Sequence, residues 1–220
     1  MAKIMVSGAT GLVGSELLPL LQAGDYGVSR LVREYSAVDG GDVFWDPVAG
    51  ELDTAALEGV EAVVHLAGEN IAAGRWNNAR KKRIRESRVD GTKLLCAKLA
   101  EMPTPPKVLI CASAIGYYGE RGDEELAEEA AAGEGFLPDV CREWEESTEA
   151  AATAGIQTFQ CDALPDTFAI SVTASLGGAD AGYRLVINSA SSDNCSPSDA
   201  NSSGNRRSCS SSTVGLRGKS

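Results

Sequence analysis

A glycine-rich turn, Ser7-Gly8-Ala9-Thr10-Gly11-Leu12-Val13-Gly14, follows directly on the short apolar run Lys3-Ile4-Met5-Val6. The apolar run is rich in strand-forming residues and is typical of a buried β-strand. Beyond the turn, leucines and a valine recur between Leu12 and Leu21 at spacings that fall on one broad helical face. The pattern therefore predicts a strand, a tight glycine turn and a helix.

The three glycines of this turn are spaced three residues apart, as in a pyrophosphate-binding turn. Gly8 permits a tight turn, Gly11 lets a pyrophosphate approach the backbone, and Gly14 lets the helix pack close to the sheet. The helix N-terminus then offers free amides and a positive dipole end to phosphate oxygens. The candidate cofactor-binding residues of the turn are Gly8, Thr10, Gly11, Leu12, Val13 and Gly14. The alternative is a glycine-rich βα turn that binds no ligand.

An arginine stands where a dinucleotide site normally has an acidic residue. In such folds a carboxylate about 20 positions after the turn, at the end of the second strand, holds the adenosine ribose hydroxyl. Here the predicted second strand, Val28–Arg33, ends on Arg33. A guanidinium can bind a 2′-phosphate through paired charge-assisted hydrogen bonds. We therefore expect NADP rather than NAD as the cofactor, the alternative being a surface arginine at a strand end.

Strand and helix patterns alternate along the first 156 residues. Further strands are predicted at Ala62–Leu66, Val108–Ala112 and Ile156–Phe159, and further helices at Asn77–Ala100 and Asp139–Ala154. Strands separated by helices pair in parallel, because each helix crosses a face of the sheet. The predicted fold class is therefore α/β, a Rossmann-like doubly wound parallel sheet with helices on both faces.

Composition and charge narrow the class of protein. The 220 residues carry 20 Lys+Arg against 31 Asp+Glu, a formal net charge of −11, which disfavours binding to nucleic acid or to anionic membranes. The longest apolar stretches are far shorter than the roughly 20 residues that span a membrane, and no signal peptide is visible. The six cysteines form no Cys-x-x-Cys pair and His65 is the one histidine, so no metal site or disulfide framework is expected. We expect a cytoplasmic protein that acts on a small molecule.

Four motifs occur in the order found in the short-chain dehydrogenase/reductase superfamily. They are the Gly8–Gly14 turn, the strand and loop Val64–Ile71, the helix segment Val89–Leu95 and the run Ala112–Gly119. Residues 3–156 thus resemble the atypical, epimerase-like branch of that superfamily, which is related to sugar-nucleotide epimerases. The resemblance implies an NAD(P)-dependent oxidoreductase or epimerase that transfers a hydride to or from a carbonyl or hydroxyl carbon.

The resemblance also implies roles for residues beyond the turn. Leu66, Ala67 and Gly68 would pass beneath the adenine and ribose of the cofactor. Ser113 would lie near the nicotinamide and Tyr117 would line the substrate cavity, which makes these two the candidate catalytic residues.

The usual proton-transfer pair of the superfamily is missing from this chain. Members typically carry a tyrosine whose pKa is lowered by a lysine four residues later, and no tyrosine here is followed by that lysine. Cys141 and Glu145 occupy the corresponding places on the predicted helix. Either could act as an acid or a base, although a small buried residue and a helix-surface carboxylate are the commoner roles.

Other polar residues have simple structural interpretations. The basic run Arg80–Arg88 lies on a long predicted helix and indicates a solvent-exposed face, with contact to a phosphate group as the alternative. His65 lies within a predicted buried strand and is interpreted as a packed residue rather than a catalytic base. Asn70 and Arg75 follow that strand at its carboxyl end, where open α/β sheets bind ligands.

The chain changes character after Ile156. Residues 157–220 hold 14 of the 21 serines and include stretches without apolar periodicity. We expect residues 1–156 to form the NAD(P)-binding domain and residues 157–220 to be a Ser-rich tail in place of a substrate-binding domain. A frame shift near Gln157–Cys161, which would leave the chain truncated, is our hypothesis for this change, and a natural disordered tail is the alternative.

Three functional hypotheses follow. The first is an NADP-dependent oxidoreductase or epimerase-like enzyme. The second is a non-catalytic NADP-binding sensor or assembly partner, favoured by the missing tyrosine and lysine. The third is an inactive truncated product. No motif indicates the substrate or the oligomeric state.

Overall fold

A computed structural model of the protein describes residues 1–24, 26–35, 38, 40–127 and 130–162, and the backbone of three further short strands. The chain divides into two units, one of Met1–Ala163 with Leu216–Ser220 and one of Leu164–Gly215. Most of the predicted Ser-rich tail lies outside the described residues, so its nature and the frame-shift hypothesis remain predictions.

The first unit alternates strands and helices. Its strands are β1 (Lys3–Ser7), β2 (Gly27–Val32), β3 (Val43–Asp46), β4 (Glu51–Leu52), β5 (Val60–His65), β6 (Val108–Ser113) and β7 (Gln157–Asp162). Its helices are α1 (Leu12–Ala23), α2 (Asn78–Ala100), α3 (Phe136–Glu146) and α4 (Glu149–Thr153), with 3-10 turns at Ala55–Leu57 and Ile115–Tyr118. In the second unit, β8 (Ala169–Ala174) pairs antiparallel with β9 (Tyr183–Asn188). A last short strand, β10 (Arg217–Gly218), returns to the first unit.

The strand order β10-β7-β6-β5-β1-β2-β3-β4 places β1 in the interior of the sheet. β1 pairs in parallel with β2, through Met5 and Ser29, and with β5, through Met5 and Val63. The edge strands β4 and β10 pair antiparallel with their neighbours. From β1 the chain proceeds through α1 to β2 on one side, and later from β5 through α2 to β6 and β7 on the other side. Because both sets of crossovers are right-handed, α1 lies on one face of the sheet and α2 to α4 lie on the other. The predicted Rossmann-like α/β fold is confirmed.

The carboxyl ends of β1 and β5 lie side by side where the strand order reverses. After β1 the chain moves to β2, and it returns to the other side of β1 only with β5. The loops that follow these two strands therefore diverge to opposite faces and leave a crevice, which is where open α/β sheets bind ligands.

The core that fixes this arrangement lies between the sheet and α2. Met5, Val63 and Leu109 of the central strands are fully buried in one cluster with Leu95 and Leu99 of α2. Burying one such side chain contributes about 1.5–3 kcal/mol. These apolar positions therefore decide which face of each strand turns towards the helix.

Most predicted elements agree with the structure to within about three residues, but the helix predicted at Asp139–Ala154 is wrong. It is two helices, because the last turn of α3 tightens at Ser147 and Thr148. The Ser147 hydroxyl donates to the Glu143 carbonyl oxygen at 2.5 Å, and the Thr148 hydroxyl donates to the Glu145 carbonyl oxygen at 2.7 Å. Hydroxyls that bond to nearby backbone in this way compete with helix continuation.

Two differences concern strands. β3 and β4 are absent from the sequence prediction, because strands of four and two residues show too little alternation. β7 continues to Asp162, three residues beyond its predicted end, and pairs with β6 as far as Ser113. The sheet therefore extends into the segment that the sequence assigns to the tail. Within the described part of the chain, no helix is both long and apolar enough to cross a membrane.

Candidate functional site

The glycine turn connects β1 to α1 at the carboxyl edge of the sheet. Gly8 has a φ of +68°, and a Cβ atom there would lie 2.6 Å from the carbonyl carbon of Leu66. A Cβ atom on Gly14 would lie 2.3 Å from the Gly8 carbonyl oxygen and 2.8 Å from the Cα of Ala9. A 2.9 Å hydrogen bond from the Gly11 amide to the Gly8 carbonyl oxygen closes the turn. The packing of the turn itself therefore requires Gly8 and Gly14.

The tip of this turn is open where a phosphate would bind. Thr10, Gly11 and Leu12 are exposed, and Leu12 retains 73% of its accessible surface. Gly11 is the N-cap of α1 and supplies no side-chain acceptor for the amides of the first helical turn. A Cβ atom on Gly11 would meet only the Gly8 carbonyl oxygen, at 3.2 Å, so close packing does not explain this glycine. The residues of the turn therefore fit a pyrophosphate at the N-terminus of α1.

The segment Leu66–Gly68, directly after β5, lies beside the glycine turn. The Leu66 and Ala67 amides donate to the Ser7 hydroxyl oxygen at 3.1 Å and 3.3 Å. A Cβ atom on Gly68 would lie 3.2 Å from the Cζ of Arg88, so this glycine rests on a guanidinium. The structure thus brings Leu66 and Ala67 against Gly8, and Gly68 continues the same segment towards α2. The contact of these three residues with a cofactor stays a prediction.

A chain of buried polar groups lies beneath this segment. The Ser7 hydroxyl oxygen lies 2.6 Å from His65 Nδ1, and His65 Nε2 lies 3.0 Å from the Thr92 hydroxyl oxygen. The Trp144 indole N–H donates to the same Thr92 oxygen at 2.9 Å. Complete burial lowers the pKa of His65 to about 4, so the imidazole is neutral at pH 7. The interpretation of His65 as a packed residue is confirmed.

Ser113 ends β6 at the same edge of the sheet and is 3% exposed. Its hydroxyl donates to Glu145 Oε1 at 2.7 Å. The buried Cys141 thiol lies 3.8 Å from the Ala114 carbonyl oxygen, one residue further along the chain. Cys141 and Glu145 therefore both face the end of β6. Glu145 is not the helix-surface carboxylate that its position in the sequence indicates, because it is half-buried and bonded to Ser113.

Tyr117 lies in the 3-10 turn Ile115–Tyr118, which follows β6 directly. The side chain is half-buried and its ring packs edge-on against Tyr118, with ring centroids 5.3 Å apart. A hydrogen bond from the Gly133 amide to the Tyr117 carbonyl oxygen, at 2.9 Å, stabilises this turn. The two candidate catalytic residues therefore lie on one short segment at the carboxyl edge of the sheet.

Arg33 is exposed one residue beyond the end of β2, the strand beside β1. Arg30 of the same strand is engaged by Asp42, whose Oδ2 accepts a hydrogen bond from Arg30 Nε at 2.9 Å. Of these two arginines, Arg33 is the one at the carboxyl edge of the sheet. Its proposed contact with a 2′-phosphate remains a prediction.

The basic run of α2 is only in part the solvent-exposed face that the sequence indicates: Lys82 and Arg83 are exposed, whereas Arg80 and Arg88 are not. Arg80 is 7% exposed, lies 3.7 Å from Glu69 Oε1 and donates to the Asn70 carbonyl oxygen. Arg88 donates to the Glu69 carbonyl oxygen at 3.1 Å and lies over the Trp144 ring at 5.2 Å from its centroid. Burial lowers the pKa of Arg88, and nearby Cys141 and Glu69 oppose that shift. These arginines anchor the loop after β5, and no local sequence pattern separates them from their exposed neighbours.

Comparison with known proteins agrees with this fold. Residues 4–137 match the profile of the NAD dependent epimerase/dehydratase family. An epimerase family protein of Mycobacterium bovis is 42% identical over 154 residues, which are 70% of this chain and 50% of that protein.

Among the solved structures that are similar to this chain are two epimerase-family proteins. A nucleoside-diphosphate sugar epimerase from Corynebacterium glutamicum gives a TM-score of 0.63 at 40% identity and covers 73% of this chain and 33% of its own. A human epimerase family protein, solved with NADPH, gives a TM-score of 0.57 at 29% identity and covers 66% of this chain and 48% of its own. The chain spans about half the length of the curated relatives it matches.

Proposed function

Because the chain belongs to the NAD dependent epimerase/dehydratase family, we propose that it binds NADP and transfers a hydride to or from a carbonyl or hydroxyl carbon of a small, nucleotide-sugar-like substrate. The glycine turn is the observation that carries the proposal. Gly8 and Gly14 leave no room for side chains, and the turn presents the open N-terminus of α1 at the crevice between β1 and β5.

The chain's own residues would hold the cofactor largely through backbone groups. The amides at the start of α1 bind the pyrophosphate, with the positive end of the helix dipole behind them. Leu66, Ala67 and Gly68 support the adenine and ribose, and the exposed Arg33 binds the 2′-phosphate. The bound cofactor supplies the hydride donor or acceptor.

Ser113 and Glu145 supply a path for the proton that accompanies hydride transfer. A group in the protein must take or return the hydroxyl proton of the substrate. In the direction of alcohol oxidation, Ser113 Oγ accepts this proton while its own proton passes to the Glu145 carboxylate, 2.7 Å away. Tyr117 lines the cavity on the same side. The pair would replace the tyrosine and lysine that this chain lacks.

Titration of the purified protein with NADPH and NADH, followed by nicotinamide fluorescence and the melting temperature, tests the proposal. We expect saturable binding that is several-fold tighter for NADPH than for NADH. UDP-glucose and a panel of small carbonyl compounds then serve as turnover probes. Binding without turnover would favour a non-catalytic NADP-binding sensor, whereas a cooperative melt with no cofactor binding would contradict the proposal.

Arg33→Ala is expected to weaken NADPH binding about tenfold, because a charge-assisted hydrogen bond contributes about 1.5–3 kcal/mol. NADH lacks the 2′-phosphate, and its affinity is expected to stay unchanged. Lys107→Ala is the matched control, since it removes an exposed positive charge just before β6, at the opposite edge of the sheet. An equal loss of affinity for NADPH and NADH in Arg33→Ala would contradict the proposed contact between Arg33 and the 2′-phosphate.

A further inference from the structure

The hydrogen bonds around Ser7 favour one arrangement of protons. Ser7 Oγ accepts the amide hydrogens of Leu66 at 3.1 Å and Ala67 at 3.3 Å, which occupies both of its lone pairs. Its own hydrogen is then free to point at His65 Nδ1, 2.6 Å away. In this arrangement Nδ1 is the acceptor, and the ring proton is on Nε2, which lies 3.0 Å from Thr92 Oγ1 and would donate to it.

This chain of groups connects four elements of the fold. Ser7 lies on β1, His65 on β5, Thr92 on α2 and Trp144 on α3, and each is at most 4% exposed. The imidazole contacts three uncharged groups: the Ser7 hydroxyl, the Thr92 hydroxyl and the Trp45 ring, whose centroid lies 5.9 Å from that of the imidazole. On the neighbouring strand β6, the residue paired with His65 is the buried Cys111. Thr92 and Trp144 of the two helices thus fix the orientation of the imidazole through its Nε2 side. The imidazole in turn orients the Ser7 hydroxyl through its Nδ1 side.

We propose that His65 is a positioning residue for the cofactor site: held as the Nε2–H tautomer, it orients the Ser7 hydroxyl and so fixes the backbone of Leu66 and Ala67 against the glycine turn. A shift of this segment would act on the turn directly, because the two pack closely: a Cβ atom on Gly8 would lie within 2.8 Å of three backbone atoms of Leu66 and Ala67. A small shift of this segment therefore changes the shape of the site. The role of His65 in cofactor binding rests on the proposed function, whereas the hydrogen bonds that link Ser7, His65 and Thr92 do not depend on it.

The single histidine makes the proton arrangement directly measurable. In a ¹⁵N-labelled sample at pH 7, one imidazole is observed, because the chain has one histidine. We expect a resolved proton on Nε2 in slow exchange with water and an unprotonated Nδ1. Ser7→Ala should shift the Nδ1 resonance towards that of an unprotonated imidazole nitrogen that accepts no hydrogen bond. A proton on Nδ1, or an Nδ1 resonance unaffected by Ser7→Ala, would overturn the proposal.

Two substitutions at His65 separate positioning from packing. His65→Leu removes the acceptor for Ser7, while His65→Asn returns an amide oxygen near the place of Nδ1. In His65→Leu we expect amide hydrogen exchange at Leu66 and Ala67 to be faster by about tenfold, and the Kd for NADPH to rise by about tenfold, as for the loss of one buried hydrogen bond. His65→Asn should recover most of both losses.

Val63→Ala is the matched control, because Val63 is fully buried on the same strand and has an apolar side chain. It should lower the melting temperature and leave local exchange at Leu66 and Ala67 and the NADPH affinity unchanged. Equal effects of Val63→Ala and His65→Leu, or no rescue by His65→Asn, would show a merely structural role. If the wild-type chain binds no NADPH, the proposed function fails, and the tautomer and the exchange rates still decide whether His65 holds the segment.

Discussion

Gly14→Ala is expected to abolish NADPH binding and to lower the free energy of unfolding by about 3 kcal/mol, the upper range for inserting a methyl group into a packed site. The new Cβ would lie 2.3 Å from the Gly8 carbonyl oxygen and 2.8 Å from the Ala9 Cα. These are backbone atoms, which cannot move aside as the end of a side chain can. Either α1 tilts or the turn opens, and both displace the amides that bind phosphate. Urea unfolding and NADPH fluorescence measure the two effects.

Gly11→Ala separates the packing of the turn from the binding of the cofactor. Its Cβ would meet one atom, the Gly8 carbonyl oxygen at 3.2 Å, so the fold should be retained. NADPH affinity should still fall by about tenfold or more, because the methyl group projects where the pyrophosphate approaches. Full NADPH affinity in Gly11→Ala would contradict the placement of the pyrophosphate at this turn.

Gly91→Ala is the control for both substitutions. Gly91 lies within α2, where a Cβ would make only ordinary contacts at 3.8 Å with Pro47 and Trp45. Alanine in a helix interior is favoured over glycine by about 0.5–1 kcal/mol, so this variant should be more stable than the wild type and bind NADPH equally well.

Glu145→Gln is expected to lower the rate of turnover by about 100-fold, the lower range for losing a general acid or base. The carboxamide has the same size and can still accept the Ser113 hydrogen bond, but it cannot take up the proton. NADPH affinity should therefore stay unchanged while kcat falls, as followed by nicotinamide absorbance with the turnover probes. Glu146→Gln is the matched control, because Glu146 is the next residue of α3 and is exposed.

Ser113→Ala extends the test to the other half of the pair. Residues that act on one proton path are not additive, so the double variant Ser113→Ala with Glu145→Gln should be no slower than the slower single variant. Wild-type turnover in Glu145→Gln, or additive losses in the double variant, would show that Glu145 takes no part in proton transfer.

The fold class and the cofactor turn could be predicted from the sequence because both depend on local properties. Apolar periodicity places β1, β2, β5, β6 and α2 to within about three residues of their observed bounds. The spacing of Gly8, Gly11 and Gly14 after the first strand indicates the turn, since the backbone alone binds the phosphate. The order of these elements then suffices to place the crevice at the carboxyl ends of β1 and β5.

Only the tertiary structure determines which groups the polar side chains of the site contact. Glu145 meets Ser113 from 32 positions away, and His65 meets Ser7 from 58 positions away. Arg80 is buried while Arg83 of the same helix is 58% exposed, a difference set by the rotation of α2 against the loop after β5. Contacts of this kind depend on how helices and strands pack, and residue type and spacing along the chain carry no record of that packing.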